Sequence, residues 1–193
     1  MTRGRIAIFG GAFDPIHNAH LAVARAAADR FHLDRVLFVP TYRPPHKGGT
    51  THAPYEDRFR MVEIACAADP RFEASRLEDG GERSYSIDTI QKLRATLQPQ
   101  DELFFIIGAD AFAELRTWHR WQDVIRSVRF IVVNRPGYSY DAPSGAKADH
   151  LDELELMTSS SELRGHLTTG QQDLDAPLCV IEYIRQHHLY GAS

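Results

Sequence analysis

The residues best suited to chemistry lie near the start of the chain, where two glycines are followed by two histidines. Gly10 and Gly11 leave backbone N–H groups uncovered at the end of an apolar run, and a helix is predicted to begin just beyond them. Uncovered amides and the positive end of a helix both favour an anion. His17 and His20 are three residues apart, so their imidazoles can face the same anion from the first helical turn. This spacing predicts a phosphate-handling site.

Other interpretations of these residues have to be weighed against that one. Paired glycines after a strand are often only a turn, and two histidines three apart are often surface residues. As zinc ligands the pair is weak, because helical zinc pairs favour a spacing of four and no cysteine or acid lies at ligand spacing nearby. No metal site is predicted. The Gly-x-Gly-x-x-Gly fingerprint also fails, since Asp14 or Pro15 stands in place of its third glycine, and no Walker-type Gly-Lys-Ser/Thr occurs.

Composition limits the class of protein. The chain has 193 residues, which predicts one domain over 1–193 with a sizeable core. Its net charge of -4 and pI near 6.2 argue against a general nucleic-acid or membrane surface. Only Cys66 and Cys179 are present, and there is no secretory segment or long apolar span, so a cytoplasmic protein is expected. The oligomeric state stays open, a homo-oligomer included.

The glycines and histidines must be positioned by the strands and helices that alternate along the chain. Apolar runs predict strands at 6–9, 35–40, 72–77, 103–107 and 129–134, with a short one at 154–157. Helices are predicted after Asn18 as the cap, after Pro54, after Ser86 as the cap, after the serines at 158–161, and from Pro177. This alternation is typical of a doubly wound α/β fold of the Rossmann type. Because ligands bind outside the carboxyl ends of such strands, Gly10 and Gly108 are expected to line one crevice.

The remaining segments are interpreted by their context. The loop at 41–49 has no periodicity and ends in glycines, so it is predicted to be a lid with Lys47 near phosphate, or else an ordinary surface loop. Arg58 and Arg60 are expected to point away from the apolar face of the second helix. Trp121 is expected in the core, whereas Trp118 lies in a polar lead-in. The stretch at 138–149 is predicted to be a surface connection.

Several of these motifs, in this order, carry a resemblance to a known family. Gly-Gly-x-Phe-Asp-Pro-x-His-x-x-His at 10–20 resembles the signature of nucleotidyltransferases. With the segments at 44–47, 84–89, 108–110, 117–118, 135–137 and 159–164, the chain resembles bacterial nicotinate-nucleotide adenylyltransferases over nearly its whole length. It departs from the family pattern at Ala19, where glycine is usual, and at Ala12, where a hydroxyl residue is usual. The methyl group of Ala19 puts nucleotide affinity in question.

The resemblance implies a nucleotidyltransferase fold and transfer of the adenylyl group of ATP to nicotinate mononucleotide, with Mg²⁺ carried by the ATP. It implies that ATP is held by eight residues: Gly10, Gly11, His17, His20, Gly108, Asp110, Ser160 and Arg164. It implies a nicotinate nucleotide pocket lined by Tyr85, Ser86, Trp118, His119 and Arg135. The catalytic set is then His17, His20, Lys47 and Arg164. No general base is required, because the attacking phosphate is already anionic at neutral pH, its second pKa being about 6.

Two alternatives remain beside this assignment. The chain could be another small-molecule nucleotidyltransferase, such as a phosphopantetheine adenylyltransferase, although Trp118 and the Ser-Tyr-Ser segment at 84–86 argue against it. It could also be a nucleotide sensor that has lost catalysis. The presence of both histidines, Lys47 and Arg164 argues against that second alternative.

Overall fold

Six parallel strands form one sheet in the computed structural model, which describes residues 3–43, 51–80, 84–134, 142–151, 158–171 and 173–192. The strands are β1 (Arg5–Gly11), β2 (Arg35–Pro40), β3 (Phe72–Ala74), β4 (Glu102–Gly108), β5 (Arg129–Val133) and β6 (Ala148–Leu151). Their order across the sheet is β3-β2-β1-β4-β5-β6. The chain therefore builds outward from β1 in one direction and then from β4 in the other, which creates a switch point between these two strands.

Helices cover both faces of the sheet. They are α1 (Asn18–Arg30), α2 (Tyr55–Cys66), α3 (Ser86–Arg94), α4 (Ala109–Ala113), α5 (Trp121–Ser127), α6 (Ser160–Thr168) and α7 (Leu178–Gln186). Helices α1, α2, α6 and α7 pack on one face, while α3, α4 and α5 pack on the other. Residues of β1 alternate between the two cores, with Ala7 in the first and Ile6 and Ile8 in the second. The predicted doubly wound α/β fold is thus confirmed.

The predictions for the central strands and the first helix are largely confirmed. The second strand runs over the predicted residues 35–40, and β4 contains the run at 103–107. Leu21, Ala24 and Ala28 face the core from α1. The prediction of Asn18 as the cap is wrong: His17 precedes the helix, Asn18 is its first residue, and Asn18 Nδ2 donates to Asp175 Oδ1 at 2.8 Å.

Three further boundaries differ from the predictions. Strand β3 ends at Ala74, because only Phe72 of its three residues is buried and the chain then turns. Ser86 is not a cap but the first residue of α3, and Tyr85 occupies the capping position. Part of the predicted connection at 138–149 belongs to the edge strand Ala148–Leu151. The strand predicted at 154–157 lies outside the described residues.

Trp121 is partly buried and packs against the core that α3 and α5 share, as predicted. Within the described ranges, no helix combines the length and the apolar character needed to cross a membrane.

Candidate active site

A cavity of about 610 Å³ opens at the carboxyl ends of β1 and β4, where the strand order reverses. Gly10 and Gly108 both line it, as predicted from their positions at the ends of two strands. Of the other residues predicted to bind substrates, the cavity also contains Gly11, Tyr85, Ser86, Trp118 and His119. The switch point therefore gathers residues from opposite halves of the chain into one concave surface.

Gly11 is needed because the chain folds tightly back on itself after β1. A Cβ atom at Gly11 would lie 3.1 Å from the ring of Phe13. That ring is buried and is packed against Phe9 and Phe38, with centroid separations of 5.7 Å in each case. Phe13 itself adopts a φ of 45°, in the left-handed region. A larger residue than glycine at position 11 would force this packed ring to move.

The two histidines stack on each other at the start of α1. Their ring centroids are 3.8 Å apart, and the His17 backbone N–H donates to His20 Nδ1 at 3.3 Å. A neutral His20 therefore carries its proton on Nε2. His17 is only 4% exposed, and its Nδ1 is buried without a hydrogen-bond partner in the described part of the chain. His17 is therefore a buried side chain in the turn that precedes α1.

Burial keeps both imidazoles neutral. It lowers the pKa of His17 to about 4, against the opposing charges of Asp175 and Glu162. Burial, together with the neighbouring His17, holds the pKa of His20 well below its ordinary value. At neutral pH both side chains are therefore hydrogen-bonding groups and not cations.

Asp14, which the sequence analysis did not single out, organises the loop between Gly11 and His17. Its carboxylate is 5% exposed and accepts backbone N–H groups from His52 at 2.7 Å and Ala53 at 3.0 Å. The Tyr190 hydroxyl also donates to it, at 2.8 Å. Burial raises the pKa of the Asp14 carboxyl, but the hydrogen bonds from His52, Tyr190 and Ala53 outweigh that, and the pKa is lowered. Asp14 thus ties the loop between Gly11 and His17 to the residues that follow the predicted lid.

Arg58 supports the same loop from α2, and its predicted orientation is wrong. Arg60 is exposed and pairs with Glu63, as expected of a residue off the apolar face. Arg58 is 0% exposed; its Nη1 donates to Ala12 O at 2.6 Å, and its Nε donates to Ala53 O at 3.2 Å. A buried guanidinium is tolerated because its N–H groups find backbone carbonyl acceptors.

Helix α6 approaches the other side of this loop. Ser159 and Glu162 form a capping box, with the Glu162 N–H donating to Ser159 Oγ at 3.2 Å and the Ser159 N–H donating to Glu162 Oε2 at 2.8 Å. Ser160 Oγ donates to Pro15 O at 3.0 Å, and Arg164 Nη1 donates to Asp14 O at 2.6 Å. Ser160 and Arg164 therefore lie against the loop that carries His17, on the flank of the cavity and not in its lining.

The opposite wall of the cavity is formed by the start of α3 and the residues after α4. The N–H groups of Asp88 and Thr89 already donate to Tyr85 O, which leaves those of Ser86 and Ile87 without an intrahelical acceptor. The rings of Tyr85 and His119 contact each other, with centroids 4.5 Å apart and planes tilted by 33°. Trp118 is half-buried, and the edge-on contact with Phe105 at 6.0 Å fixes its plane. This wall thus combines aromatic rings with the N-terminus of α3.

The described lining of the cavity contains the acids Glu78 and Glu114 but neither lysine nor arginine. An anion bound there must be stabilised by backbone amides and helix termini, or by residues from elsewhere. Lys47 and Arg135, predicted for that purpose, lie outside the described residues. Asp110 is exposed in the first turn of α4 and does not line the cavity. Among the described residues, no group of three or more metal-binding side chains is found.

Known proteins resemble this chain over nearly its full length. A family model described as cytidylyltransferase-like matches residues 8–166. The chain is 60% identical over 187 residues to the probable nicotinate-nucleotide adenylyltransferase of Solibacter usitatus, covering 97% of this chain and 100% of the relative. It is 44% identical over 189 residues to the protein of the same description from Thermus thermophilus, covering 96% and 99%.

Solved structures agree on the fold. The Plasmodium falciparum nicotinic acid mononucleotide adenylyltransferase complexed with NaAD superposes with a TM-score of 0.79 at 22% identity, over 99% of each chain. The same protein complexed with APC gives a TM-score of 0.77 over the same share of both chains. Since a cytidylyltransferase-like model covers most of the sequence and relatives this similar align from end to end, the chain belongs to the nicotinate-nucleotide adenylyltransferases of the cytidylyltransferase-like family.

Proposed function

We propose that this protein transfers the adenylyl group of ATP to nicotinate mononucleotide, giving nicotinate adenine dinucleotide and pyrophosphate. The observation that carries the proposal is the single cavity at the β1–β4 switch point, which reaches from Gly10 and Gly11 to Ser86 and Trp118. A nucleotide phosphate and a pyridine ring both find suitable surfaces within it. Family membership supports the same reaction.

The nicotinate half of the substrate is assigned to the wall formed by α3 and Trp118. The free amides of Ser86 and Ile87 favour a carboxylate over an uncharged amide, because the helix terminus is positive. A carboxamide would also point N–H donors at those N–H groups. Trp118 stacks on the pyridine ring and fixes which edge meets the amides. Tyr85, His119 and Arg135 complete the proposed pocket.

ATP is assigned to the glycine turn and its flanks. The backbone of Gly10, Gly11 and Gly108 leaves room for phosphates to approach closely. His17 and His20 are not in the described lining of the cavity, but the His20 ring packs against Phe9 and Phe13, on either side of the first two glycines. The remaining proposed contacts with ATP are Asp110, Ser160, Arg164 and Lys47. Arg164 binds the carbonyl of Asp14 through Nη1 and Ser161 Oγ through Nη2, so it both supports the loop and presents charge to the phosphates.

The chemistry suits neutral donors. A phosphate oxygen of nicotinate mononucleotide attacks the α-phosphorus of ATP, and the bond from that phosphorus to the leaving pyrophosphate breaks in line with it. The attacking oxygen carries its electron pair already, so no proton has to be removed. What the protein supplies is alignment of two anions and hydrogen bonds to charge on the α-phosphate and pyrophosphate. Mg²⁺ arrives with ATP as part of that substrate and is held largely by phosphate and water.

The setting of the reaction is proposed with it. We take 1–193 as one nucleotidyltransferase domain in the cytoplasm, acting on small molecules and not on nucleic acid or membranes. The six strands of one sheet support the single domain. Light scattering of the purified protein measures its molar mass in solution and so tests whether it forms a homo-oligomer.

The decisive assay incubates the protein with MgATP and either nicotinate or nicotinamide mononucleotide, and follows pyrophosphate release and dinucleotide formation. The nicotinate substrate is expected to give a kcat/KM about 10- to 100-fold higher, because one or two buried N–H groups lose their acceptor with the amide. Absence of dinucleotide from the nicotinate substrate contradicts the proposed function. A ratio near one contradicts the pocket assignment alone.

A further inference from the structure

Glu78 is a carboxyl group in the cavity wall that the proposed reaction does not use. It lies between β3 and α3 and lines the same cavity as Tyr85, Ser86 and Trp118. An acid is unexpected in a pocket meant for an anionic nucleotide, since a negative charge there opposes binding. A structural role for this carboxyl group would offset its unfavourable effect on anion binding.

One carboxylate oxygen of Glu78 accepts a hydrogen bond from the first turns of α3. Thr89 is 3% exposed, and its hydroxyl donates to Glu78 Oε1 at 2.8 Å. The other acceptor within reach of that hydroxyl, Tyr85 O, is farther away at 3.4 Å. Because Thr89 lies three residues after Ser86, this contact fixes the turn whose N–H groups face the nicotinate pocket.

Ser84 lines the cavity together with Glu78 and connects the start of α3 to the end of β2. Ser84 Oγ accepts the backbone N–H groups of Tyr42 at 3.1 Å and Arg43 at 3.2 Å. A hydroxyl that accepts twice still has its own proton to donate. Burial raises the pKa of the Glu78 carboxyl, against the opposing effect of the neighbouring hydroxyls. Glu78 Oε2 is buried without a hydrogen-bond partner in the described part of the chain.

Glu78 therefore stands where two pieces of the pocket meet: the start of α3 and the chain leaving β2 at Thr41, which also lines the cavity. Its contacts lie on the nicotinate side. The ATP side is organised separately, around Asp14 and Arg58. Removal of the Glu78 carboxyl should therefore weaken the binding of nicotinate mononucleotide and leave the binding of ATP unchanged.

We propose that Glu78 is a positioning residue for the nicotinate nucleotide, holding the first turn of α3 in the place that this substrate requires. The assignment rests on the proposed function. Glu78 acts through its hydrogen bond with Thr89.

The test compares steady-state kinetics of Glu78→Ala and Glu78→Gln with those of the wild-type protein, varying each substrate separately. For Glu78→Ala the KM for nicotinate mononucleotide is expected to rise about tenfold, the equivalent of one lost hydrogen bond to a charged group, with the KM for ATP unchanged. Glu78→Gln keeps an acceptor oxygen for Thr89, so it is expected to restore most of the nicotinate affinity. Thr89→Val removes the hydrogen-bond donor to Glu78 and keeps the shape of the side chain, so it is expected to raise the same KM. This variant supplies the test if Glu78→Ala does not fold.

Glu73→Ala is the matched control, because Glu73 is an exposed acid of β3 that pairs with Arg35 away from the cavity. Unchanged nicotinate KM values in Glu78→Ala and Thr89→Val overturn the proposal, as does an equal rise in the KM for ATP. A Glu78→Gln variant as impaired as Glu78→Ala overturns it too, since the retained acceptor would then have no effect. A wild-type protein that makes no dinucleotide rejects the proposed function itself, and this assignment falls with it.

Discussion

Replacing Asp14 by asparagine is predicted to destabilise the protein strongly, although the two side chains have nearly the same shape. Oδ2 accepts the N–H of His52 at 2.7 Å, and Oδ1 accepts the N–H of Ala53 at 3.0 Å. Whichever way the asparagine amide is turned, its NH₂ group faces one of these backbone donors. A backbone N–H cannot reverse its role, whereas the Tyr190 hydroxyl beside Oδ1 can turn and accept.

The magnitude follows from those contacts. A buried donor left without an acceptor costs about 1 to 3 kcal/mol, and hydrogen bonds to a charged group contribute about 1.5 to 3 kcal/mol. One lost contact and one weakened contact therefore give a loss of about 3 to 5 kcal/mol in the free energy of unfolding. For a chain of this size, that corresponds to a Tm lower by roughly 6 to 20 °C.

Urea and thermal unfolding of Asp14→Asn, followed by circular dichroism, measure the loss. Tyr190→Phe removes only one of the donors to Asp14 and is expected to lose about 1 kcal/mol. Asp29→Asn is the control, because Asp29 is an exposed acid that pairs with Arg71 at 2.7 Å and contributes little. An Asp14→Asn variant within 1 kcal/mol of the wild type would refute the reasoning, because the carboxylate would then not be the shared acceptor.

Four other results are expected. Since the pKa of His17 is about 4 when folded and near 6.5 when unfolded, stability should fall by about 3 kcal/mol as pH drops through that window, measured by urea titration, and His17→Gln should flatten the slope. His20→Ala should lose about 10²- to 10³-fold in kcat in the dinucleotide assay while its circular dichroism spectrum stays native. Trp118→Ala should raise the KM for nicotinate mononucleotide by about tenfold without changing that for ATP. Arg164→Ala and Lys47→Ala should raise the KM for ATP. Arg164→Ala should also lower Tm, because the Arg164 guanidinium donates to the Asp14 carbonyl. Unchanged ATP kinetics in both variants would show that neither residue binds the triphosphate.

Much of the fold could be predicted because its signals are local. Strands buried on both faces are continuous apolar runs, so β2 and β4 are visible in the sequence. The capping box of Ser159 and Glu162 is equally local, since its partners are three residues apart. Strand β6 was missed because its four residues include only one that is buried, Leu151, and carry no clear alternation.

The support of the site could not be predicted, because it depends on partners far away in the sequence. Arg58 is on a helix whose pattern gives no reason to bury it; its acceptors, Ala12 O and Ala53 O, come from a distant loop and from the preceding turn. Asp14 was visible as part of a motif, but nothing near it indicates that Tyr190 will donate to it. Functional side chains could be identified by their type and spacing, whereas the groups that orient them could not.

The hydrogen bond between Tyr190 and Asp14 has a consequence for how the protein is made. The two residues are separated by 176 positions. At a synthesis rate of roughly 5 to 20 residues per second, the ribosome adds Tyr190 some 10 to 35 s after Asp14. Strands β1 to β5 can all emerge from the ribosome within that interval. The loop that carries His17 still lacks the hydrogen bond that Tyr190 donates to Asp14. The loop that carries His17 can therefore reach its final arrangement only after Tyr190 has been synthesised.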